Sequence, residues 1–275
     1  YEFARRLYNK QQMLKIMTIR EDNRVMDKET AIKKMLQPQE FFVAYAQATN
    51  MPYISCDEET VEDEVWVFAS EEDEKAFAKK MQASHMYLTG MKVPKNQYQT
   101  FFSVLYAMGV DAFVFNEGEE SARFRLDDII RFDMNKLPEN KRPLMNQPLQ
   151  LSGLYFMQEL RRPQQYRDQK KINALEEEVI ANLRKADILM AVDSAQEGKV
   201  NIPCIRNKEQ KSFQPFFSDT MEAEKFVKGR KLRLLRVKFM DLSKYLIDAV
   251  DGYAINPLGF NLLLTKEQIE KLTKQ

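Results

Sequence analysis

Apolar and polar positions follow the same order twice along the chain. In the first half, an apolar helical face over residues 32–36 precedes a continuous apolar strand over 41–46. In the second half, residues 179–183 and 188–192 repeat that order. An acidic or basic helical segment and an alternating strand come next in each half, which is the order expected of one α/β unit present twice. The pattern therefore predicts two copies of a unit of roughly a hundred residues.

The clearest match between the halves joins residues 110–116 to residues 250–256 without a gap. Both segments are short apolar strands followed by a turn that contains glycine. The identical positions are Val110 and Val250, Asp111 and Asp251, and Asn116 and Asn256. We expect the aspartates to begin a buried strand and the asparagines to begin the turn after it.

Capping residues indicate where the helices begin and end. Ser70 and Ser218 each precede a charged segment and are predicted to cap a helix. Asn173, with Glu176 three residues later, predicts the start of the first helix of the second copy. Gly109 is expected to end the helix that carries Phe101, Phe102 and Leu105. Thr265 and Gln268 have the spacing of a capping box, which predicts a final helix.

The turns after Asn116 and Asn256 imply antiparallel strand pairs, which favours a mixed sheet over a doubly wound one. The predicted fold class is α+β, with two tandem divergent repeats, each a mixed, mainly antiparallel sheet flanked by helices. The first repeat is expected over 26–132 and the second over 170–275. Residues 133–169 are predicted to be a linker with prolines and a helix. Residues 1–25 are a predicted extension, with a weakly patterned basic helix.

Composition argues against several classes of function. The 42 Lys and Arg residues nearly balance the 41 Asp and Glu residues, so nucleic acid is an unfavoured partner. No apolar run approaches the ~20 residues that cross a bilayer, so no membrane partner is expected. The eight glycines do not form a phosphate-binding spacing, and a single histidine, His85, offers little material for a metal site. We therefore predict no catalytic residue, no metal site and no cofactor.

The two cysteines, Cys56 and Cys204, lie at different places in the two copies. We expect both to be buried thiols, as in a protein of the reducing cytosol. A reactive thiol needs a basic neighbour or a helix N-terminus to lower its pKa. Cys204 has Arg206 two residues later, but the structural interpretation is favoured for both cysteines.

Charge differs in sign between corresponding regions of the copies. Residues 57–74 contain a run of Asp and Glu, whereas residues 225–238 contain only basic charges, among them Arg233, Arg236 and Lys238. This asymmetry predicts a surface that attracts a charged protein partner or joins two molecules head to tail. The simpler interpretation, which we favour, is two solvated faces.

The pairs Asp111/Asn116 and Asp251/Asn256 also have two interpretations. The favoured interpretation is local hydrogen bonding at the ends of a strand. In the functional interpretation, the two asparagines lie at one rim of the sheet and face a ligand groove or a partner. These four residues are therefore candidate interaction residues together with the three basic residues named above.

The motif Asp251-Gly252-Tyr253-Ala254-Ile255-Asn256-Pro257, preceded by Ile202-Pro203 and by Phe216-Phe217-Ser218, resembles the SseB family of enhanced-serine-sensitivity proteins. The resemblance covers both copies, although Glu117 replaces the proline in the first. It implies a bacterial cytoplasmic α/β protein without an established catalytic activity, and it supplies no active-site residue.

These observations favour a non-catalytic intracellular protein that acts as a protein-interaction or regulatory module, through a protein partner or through self-association. The alternative is a small-molecule sensor or an enzyme with a pocket between the two repeats. A binding module predicts an exposed charged or apolar patch, whereas an enzyme predicts a concave pocket with perturbed carboxylates or Cys204.

Overall fold

Two mixed β-sheets organise the chain. The structure is a computed structural model that describes residues 24–57, 59–193 and 202–274. It divides into two compact units: the first contains the residues up to Lys136 together with Gln158–Leu175, and the second contains Leu137–Met157 and the residues from Glu176 onwards. The predicted N-terminal helix lies outside the described residues, except for Arg24–Val25, which form a short strand.

The first unit contains strands β1 to β8, in which apolar residues on both faces favour burial between helices. Their bounds are β1 Arg24–Val25, β2 Glu40–Ala46, β3 Met51–Pro52, β4 Ile54–Cys56, β5 Asp63–Phe68, β6 Leu88–Pro94, β7 Ala112–Glu117 and β8 Glu120–Arg125. The main order across the sheet is β6, β2, β5, β7, β8 and β1, with β3 beside β2 and β4 beside β5. Only the β5–β7 and β1–β8 pairs are parallel.

Helices cover both faces of this sheet. The helices of the first unit include α1 Lys28–Leu36, α2 Glu71–Gln82 and α3 Tyr98–Met108. On one face, Phe77 and Met81 of α2 pack with Trp66 and Phe68. On the other face, Phe101 and Phe102 of α3 contact Phe41 and Phe113. Gly109 ends α3 with a φ of 87°, as predicted.

The second unit contains strands β9 to β14. Their bounds are β9 Asp187–Asp193, β10 Ile205–Arg206, β11 Ser212–Phe217, β12 Leu232–Lys238, β13 Gly252–Ile255 and β14 Leu262–Thr265. The order is β12, β9, β11, β13 and β14, with β10 beside β11. Only the β11–β13 pair is parallel. Strands β12, β9, β11, β13 and β14 thus repeat the order and the direction of β6, β2, β5, β7 and β8.

Helices of the second half are α4 Gln147–Leu160, α5 Gln169–Lys185, α6 Thr220–Val227 and α7 Lys266–Thr273. Helix α6 packs Ala223 and Phe226 against Leu189 and Phe217. On the opposite face of that sheet, Phe216 contacts Phe239 and Tyr253. A 3₁₀ helix, Phe239–Tyr245, follows β12 at the place where the first unit has α3.

The α+β class is shown, with two repeat-like units that each contain a mixed sheet flanked by helices. The antiparallel pairs predicted after Asn116 and Asn256 are β7–β8 and β13–β14.

Two helix caps lie at other residues than predicted. Helix α5 begins at Gln169, where Asp168 accepts hydrogen bonds from the N–H groups of residues 170 and 171, so Asn173 is inside the helix. Helix α6 is capped by Asp219, not by Ser218.

Candidate interaction surface on strand β12

Strand β12 lies at an edge of its sheet. Among the described residues it pairs only with β9, antiparallel, from Leu232 opposite Asp193 to Lys238 opposite Asp187. The N–H of Phe239 donates to the carbonyl of Ala186, which fixes the alternation of the antiparallel ladder. The N–H and C=O groups of residues 233, 235 and 237 therefore face β9, and those of residues 232, 234, 236 and 238 point away from the sheet. This is the geometry that an added strand needs.

The side chains of β12 divide between the two faces of the sheet. Leu232 and Leu234 pack onto the apolar cluster under α6. Arg236 is exposed and donates from Nε and Nη2 to Asp187 Oδ2, at 3.0 Å and 2.7 Å. Arg233 and Lys238 are exposed, and Leu235 is 44% exposed at the centre of the strand. The strand therefore presents cations around one exposed apolar side chain.

The segment that leads into β12 adds further positive charge. Between positions 225 and 238 there are seven basic residues and no acidic one. Lys228, Arg230 and Lys231 are exposed, and the guanidinium of Arg230 lies 4.4 Å from the ring centroid of Phe226. The structure thus brings Arg233, Arg236 and Lys238, predicted from sequence as interaction residues, onto one exposed edge.

The corresponding edge of the first unit is β6. There the N–H of Lys95 donates to the carbonyl of Gln39, so residues 88, 90, 92 and 94 point their backbone groups outward. Lys92 forms a 3.1 Å ion pair with Glu40, the counterpart of Arg236 with Asp187. Pro94 occupies the last outward position and has no N–H to donate. The end of β6 is therefore less able to accept an added strand than the end of β12.

The acidic stretch over residues 57–74 does not form a uniformly solvated face. Asp57, Asp63, Glu64 and Glu74 are buried, while Glu58 lies outside the described residues. Arg123 of β8 donates to Glu64 at 3.0 Å and also pairs with Glu62, as does Arg125. Asp57 accepts from the N–H groups of residues 59 and 60 in a tight turn. The expectation of an acidic surface opposed to the basic one is wrong for these residues, since folding places basic residues beside several of them.

Asp111 and Asp251 make the same contacts in the two units. Oδ2 of Asp111 accepts from the N–H of Asp63 at 2.9 Å, and Oδ2 of Asp251 accepts from the N–H of Ser212 at 2.7 Å. Each aspartate N–H also donates to the carbonyl of that same residue. The carboxylates hold the first residue of the parallel neighbour strand, as the local hydrogen-bonding interpretation predicts. In each unit, Oδ2 of the aspartate is thus engaged within the chain.

The two asparagines are buried, Asn116 with 6% and Asn256 with 0% of its surface exposed. Oδ1 of Asn256 accepts from the N–H of Ser218 at 2.9 Å. Its Nδ2 donates to Ser218 Oγ at 2.7 Å and to Gln150 Oε1 at 3.3 Å. Gln150 and Ser218 both donate to Asp219 Oδ2 at 2.7 Å. Burial prevents either asparagine side chain from contacting a partner in this conformation.

The buried network of Asn256, Ser218, Asp219 and Gln150 was missed by the sequence analysis. Ser218 and Asn256 were each identified, but as separate cap and turn residues. Gln150 lies in the segment between the repeats and is only 4% exposed. A glutamine among apolar residues of a helix was the available signal, because a buried amide needs partners. An asparagine suits this position because its side-chain amide can both accept and donate hydrogen bonds within the network.

The remaining candidates from sequence are the two cysteines and the histidine. Cys56 is buried, but Cys204 is exposed and outside any strand, so the expectation of two buried thiols is wrong for Cys204. Partial desolvation raises the pKa of the Cys204 thiol, which disfavours the reactive thiolate. His85 has a φ of 56° and stacks on Tyr166, with 3.3 Å between ring centroids. No group of three or more metal-ligating side chains occurs in the described part of the chain.

Comparisons with known proteins identify no family. No protein-family model matches the chain, and no curated protein does. Among solved structures, Anabaena Tic22, described as protein transport, is similar over 81% of this chain and 88% of its own, with 12% identity and a TM-score of 0.22. Tic22 from Plasmodium falciparum is similar over 87% of this chain and 94% of its own, with 11% identity and a TM-score of 0.22. Similarity at this level supports no inference about function, and the SseB resemblance stays a prediction.

Proposed function

We propose that this protein is a non-catalytic protein-interaction module, of the cytoplasmic SseB type that its sequence motif suggests. Its contact surface is the edge of β12, and the partner contributes an extended acidic segment that adds to the sheet beside this strand. One observation supports this proposal above all: an unpaired strand edge coincides with a cluster of positive charge. The backbone groups of residues 232, 234, 236 and 238 point outward, and residues 225–238 include seven basic residues and no acidic one.

The charge of β12 favours one occupant over others. An acidic strand gains main-chain hydrogen bonds from the edge and charge complementarity from Arg233 and Lys238. A second copy of this chain is less favoured, because several of its acidic residues between 57 and 74 are buried or paired with arginines. None of the helices that the structure describes is long and apolar enough to span a bilayer.

The first experiment uses a peptide as long as β12, which has seven residues, with glutamate alternating with valine and a fluorophore at one end. Anisotropy measures its binding to the wild-type protein and to the double variant Lys231→Glu and Arg233→Glu, two exposed positions. We expect the double variant to bind at least about tenfold more weakly, because both reversed charges repel the peptide. Arg236 and Lys238 are left unchanged, because Arg236 bonds to Asp187 and Lys238 lies opposite it, so reversing either charge would place a glutamate beside that carboxylate.

The matched control is the double variant Lys33→Glu and Lys80→Glu, which changes the net charge equally on exposed helix positions of the first unit. It should bind the acidic peptide almost as the wild type does. A peptide methylated on alternate backbone nitrogens keeps its charge but cannot form the ladder, and it should bind weakly. Equal binding of the methylated peptide, or equal losses in both double variants, would refute strand addition at β12. Tighter binding of single-stranded nucleic acid than of the peptide would do so as well.

A further inference from the structure

A groove of about 410 Å³ runs along α2 and β6 in the first unit. Helix α2 provides one wall, and the strand edge with the residues just before it provides the other. Its lining includes Glu71, Glu74, Lys75, Lys79, Tyr87 and Gly90. The groove belongs to the first unit, whereas the basic edge of β12 belongs to the second.

Glu74 places a buried carboxylate in this groove. The residue is 2% exposed, and its Oε1 has no hydrogen-bond partner. The other oxygen, Oε2, lies over Gly90, where an added Cβ would be only 2.5 Å away. Gly90 is therefore needed to make room for the acid. A buried carboxylate without a partner is costly, and burial accordingly raises the pKa of Glu74.

The second unit fills the same place with aliphatic side chains. Ser70 and Asp219 cap α2 and α6, so Glu74 and Ala223 each lie four residues after the cap. Gly90 and Leu234 each pair with an alanine of the inner strand, Ala44 and Ala191. Ala223 and Leu234 pack together in an apolar cluster. The first unit thus has an acid and a glycine where the second has a small and a large aliphatic residue.

The difference is informative, because the second unit shows that an alanine and a leucine are sufficient to pack this helix on the edge strand of its sheet. The Glu74 and Gly90 pair opens the groove and places an acceptor in it, at the expense of buried apolar contact. Of the two lysines that line the groove, Lys75 is held by Glu71 at 2.6 Å, and neither lysine bonds to Glu74. Tyr87, 40% exposed, lines the same groove and can offer its ring to a cation.

We propose that the groove between α2 and β6 is a binding site for a guanidinium or ammonium group, held by the Glu74 carboxylate. The cation completes the hydrogen bonding of Oε1 and lies against the ring of Tyr87. Gly90 leaves room for the carboxylate that holds the cation, since Oε2 of Glu74 lies where a side chain at position 90 would begin. The group belongs either to a free amine or to an arginine or lysine side chain of an extended peptide.

Calorimetric titration with two probes tests this site. Agmatine supplies a free guanidinium, and an acetylated, amidated glycine peptide with one central arginine supplies the same group on a chain. We expect at least one probe to bind with a dissociation constant of ~1 mM or lower. Binding should fall at least about tenfold in Glu74→Gln, because the amide lacks the charge. Tighter binding of the peptide identifies a protein segment as the ligand, and tighter binding of agmatine identifies a free amine.

Three further variants keep the outcome interpretable. Glu72→Gln removes an equal charge from an exposed position on the same helix, outside the groove, and should leave binding unchanged. The double variant Glu74→Ala and Gly90→Leu copies the aliphatic pair of the second unit and should fold but not bind. Tyr87→Leu should weaken binding less than Glu74→Gln does.

Failure of both probes to bind the wild type, or binding that survives Glu74→Gln, would overturn the proposal. Unchanged Trp66 fluorescence confirms that each variant is folded, since Trp66 packs against Phe77 of α2.

Discussion

Asn256 combines two properties that a single residue seldom has to satisfy. Its φ of 45° lies in the left-handed region, which asparagine tolerates better than most residues other than glycine. Its side chain, fully buried, bonds to the N–H and Oγ of Ser218 and to Gln150. Asn116, its counterpart, is not among the residues with positive φ. The same residue type therefore serves a different local purpose in each unit.

Replacing Asn256 separates these two properties. Asn256→Gly keeps the backbone freedom but loses the side-chain hydrogen bonds, and it should lower the free energy of unfolding by about 2 kcal/mol. Asn256→Ala loses the same bonds and also strains the left-handed backbone, which should cost about 1 kcal/mol more. Urea denaturation followed by circular dichroism measures both. An alanine variant as stable as the glycine variant would show that the backbone conformation is not strained.

Residue-level prediction from sequence was good where a side chain bonds within its own neighbourhood of the fold. Asp111 and Asp251 were expected at strand starts, and each holds the first residue of the parallel strand. It was poor where burial decides, as with Cys204, which is exposed. Glu74 was counted as one member of an acidic run, because sequence alone does not show that Gly90 lies under its carboxylate.

Helices α2 and α6 have the same position in their units but differently embedded caps. Ser70 Oγ accepts from the N–H of Asp73 at 3.1 Å in a partly buried position. Asp219 accepts from the N–H of Glu222 at 2.9 Å, is fully buried, and also receives hydrogen bonds from Gln150 and Ser218. One cap is a local feature of its helix, whereas the other anchors a network.

Alanine at the two caps should therefore have unequal effects. Ser70→Ala should lower the free energy of unfolding by about 1 kcal/mol, the usual loss of a cap. Asp219→Ala should lower it by about 3 kcal/mol, because the buried donors of Gln150 and Ser218 also lose their acceptor. Thermal and urea unfolding of the two variants give the comparison. Equal losses would mean that the Asp219 network adds nothing beyond capping.

Elements were predictable where local signals agree. Gly109, the Thr265 and Gln268 box and the turns after the two asparagines all mark boundaries that the structure has. The cap of α6 was misplaced by one residue because Ser218 and Asp219 are both good capping residues. The apolar residues of the 3₁₀ helix Phe239–Tyr245 also fit the spacing of an α-helix, so the sequence pattern does not distinguish the two.

At the scale of the whole molecule, the repeat is expressed in matching hydrogen bonds more than in matching residues. The pairs β5–β7 and β11–β13 are both parallel. In each pair, an aspartate just before the second strand accepts a hydrogen bond from the first residue of the other strand. The antiparallel pairs after Asn116 and Asn256 could be predicted from the repeated pattern. The position of the acidic stretch could not, because Arg123 and Arg125, about 60 residues away in sequence, pair with it only in the folded sheet.

The matched aspartates allow a test of this equivalence. Asp111→Ala and Asp251→Ala should each lower the free energy of unfolding by about 1 kcal/mol, because each removes one hydrogen bond to a backbone N–H. The double variant should lose the sum, since the two bonds share no partner. Urea denaturation monitored by circular dichroism tests both statements. A loss confined to one of the single variants would show that the two positions are equivalent in sequence but not in energy.

The contrast between Glu74 with Gly90 and Ala223 with Leu234 also limits how such units can change over time. Starting from the acid and glycine, a direct change of Gly90 to leucine places a side chain on the carboxylate, which lies 2.5 Å from the new Cβ. Starting from the aliphatic pair, a glutamate at position 223 meets Leu234 already in place. Either exchange avoids a contact between glutamate and leucine if it passes through alanine and glycine together, which leaves a gap in the core. The two packings are thus separated by a less stable intermediate, which opposes a change of either unit into the form of the other.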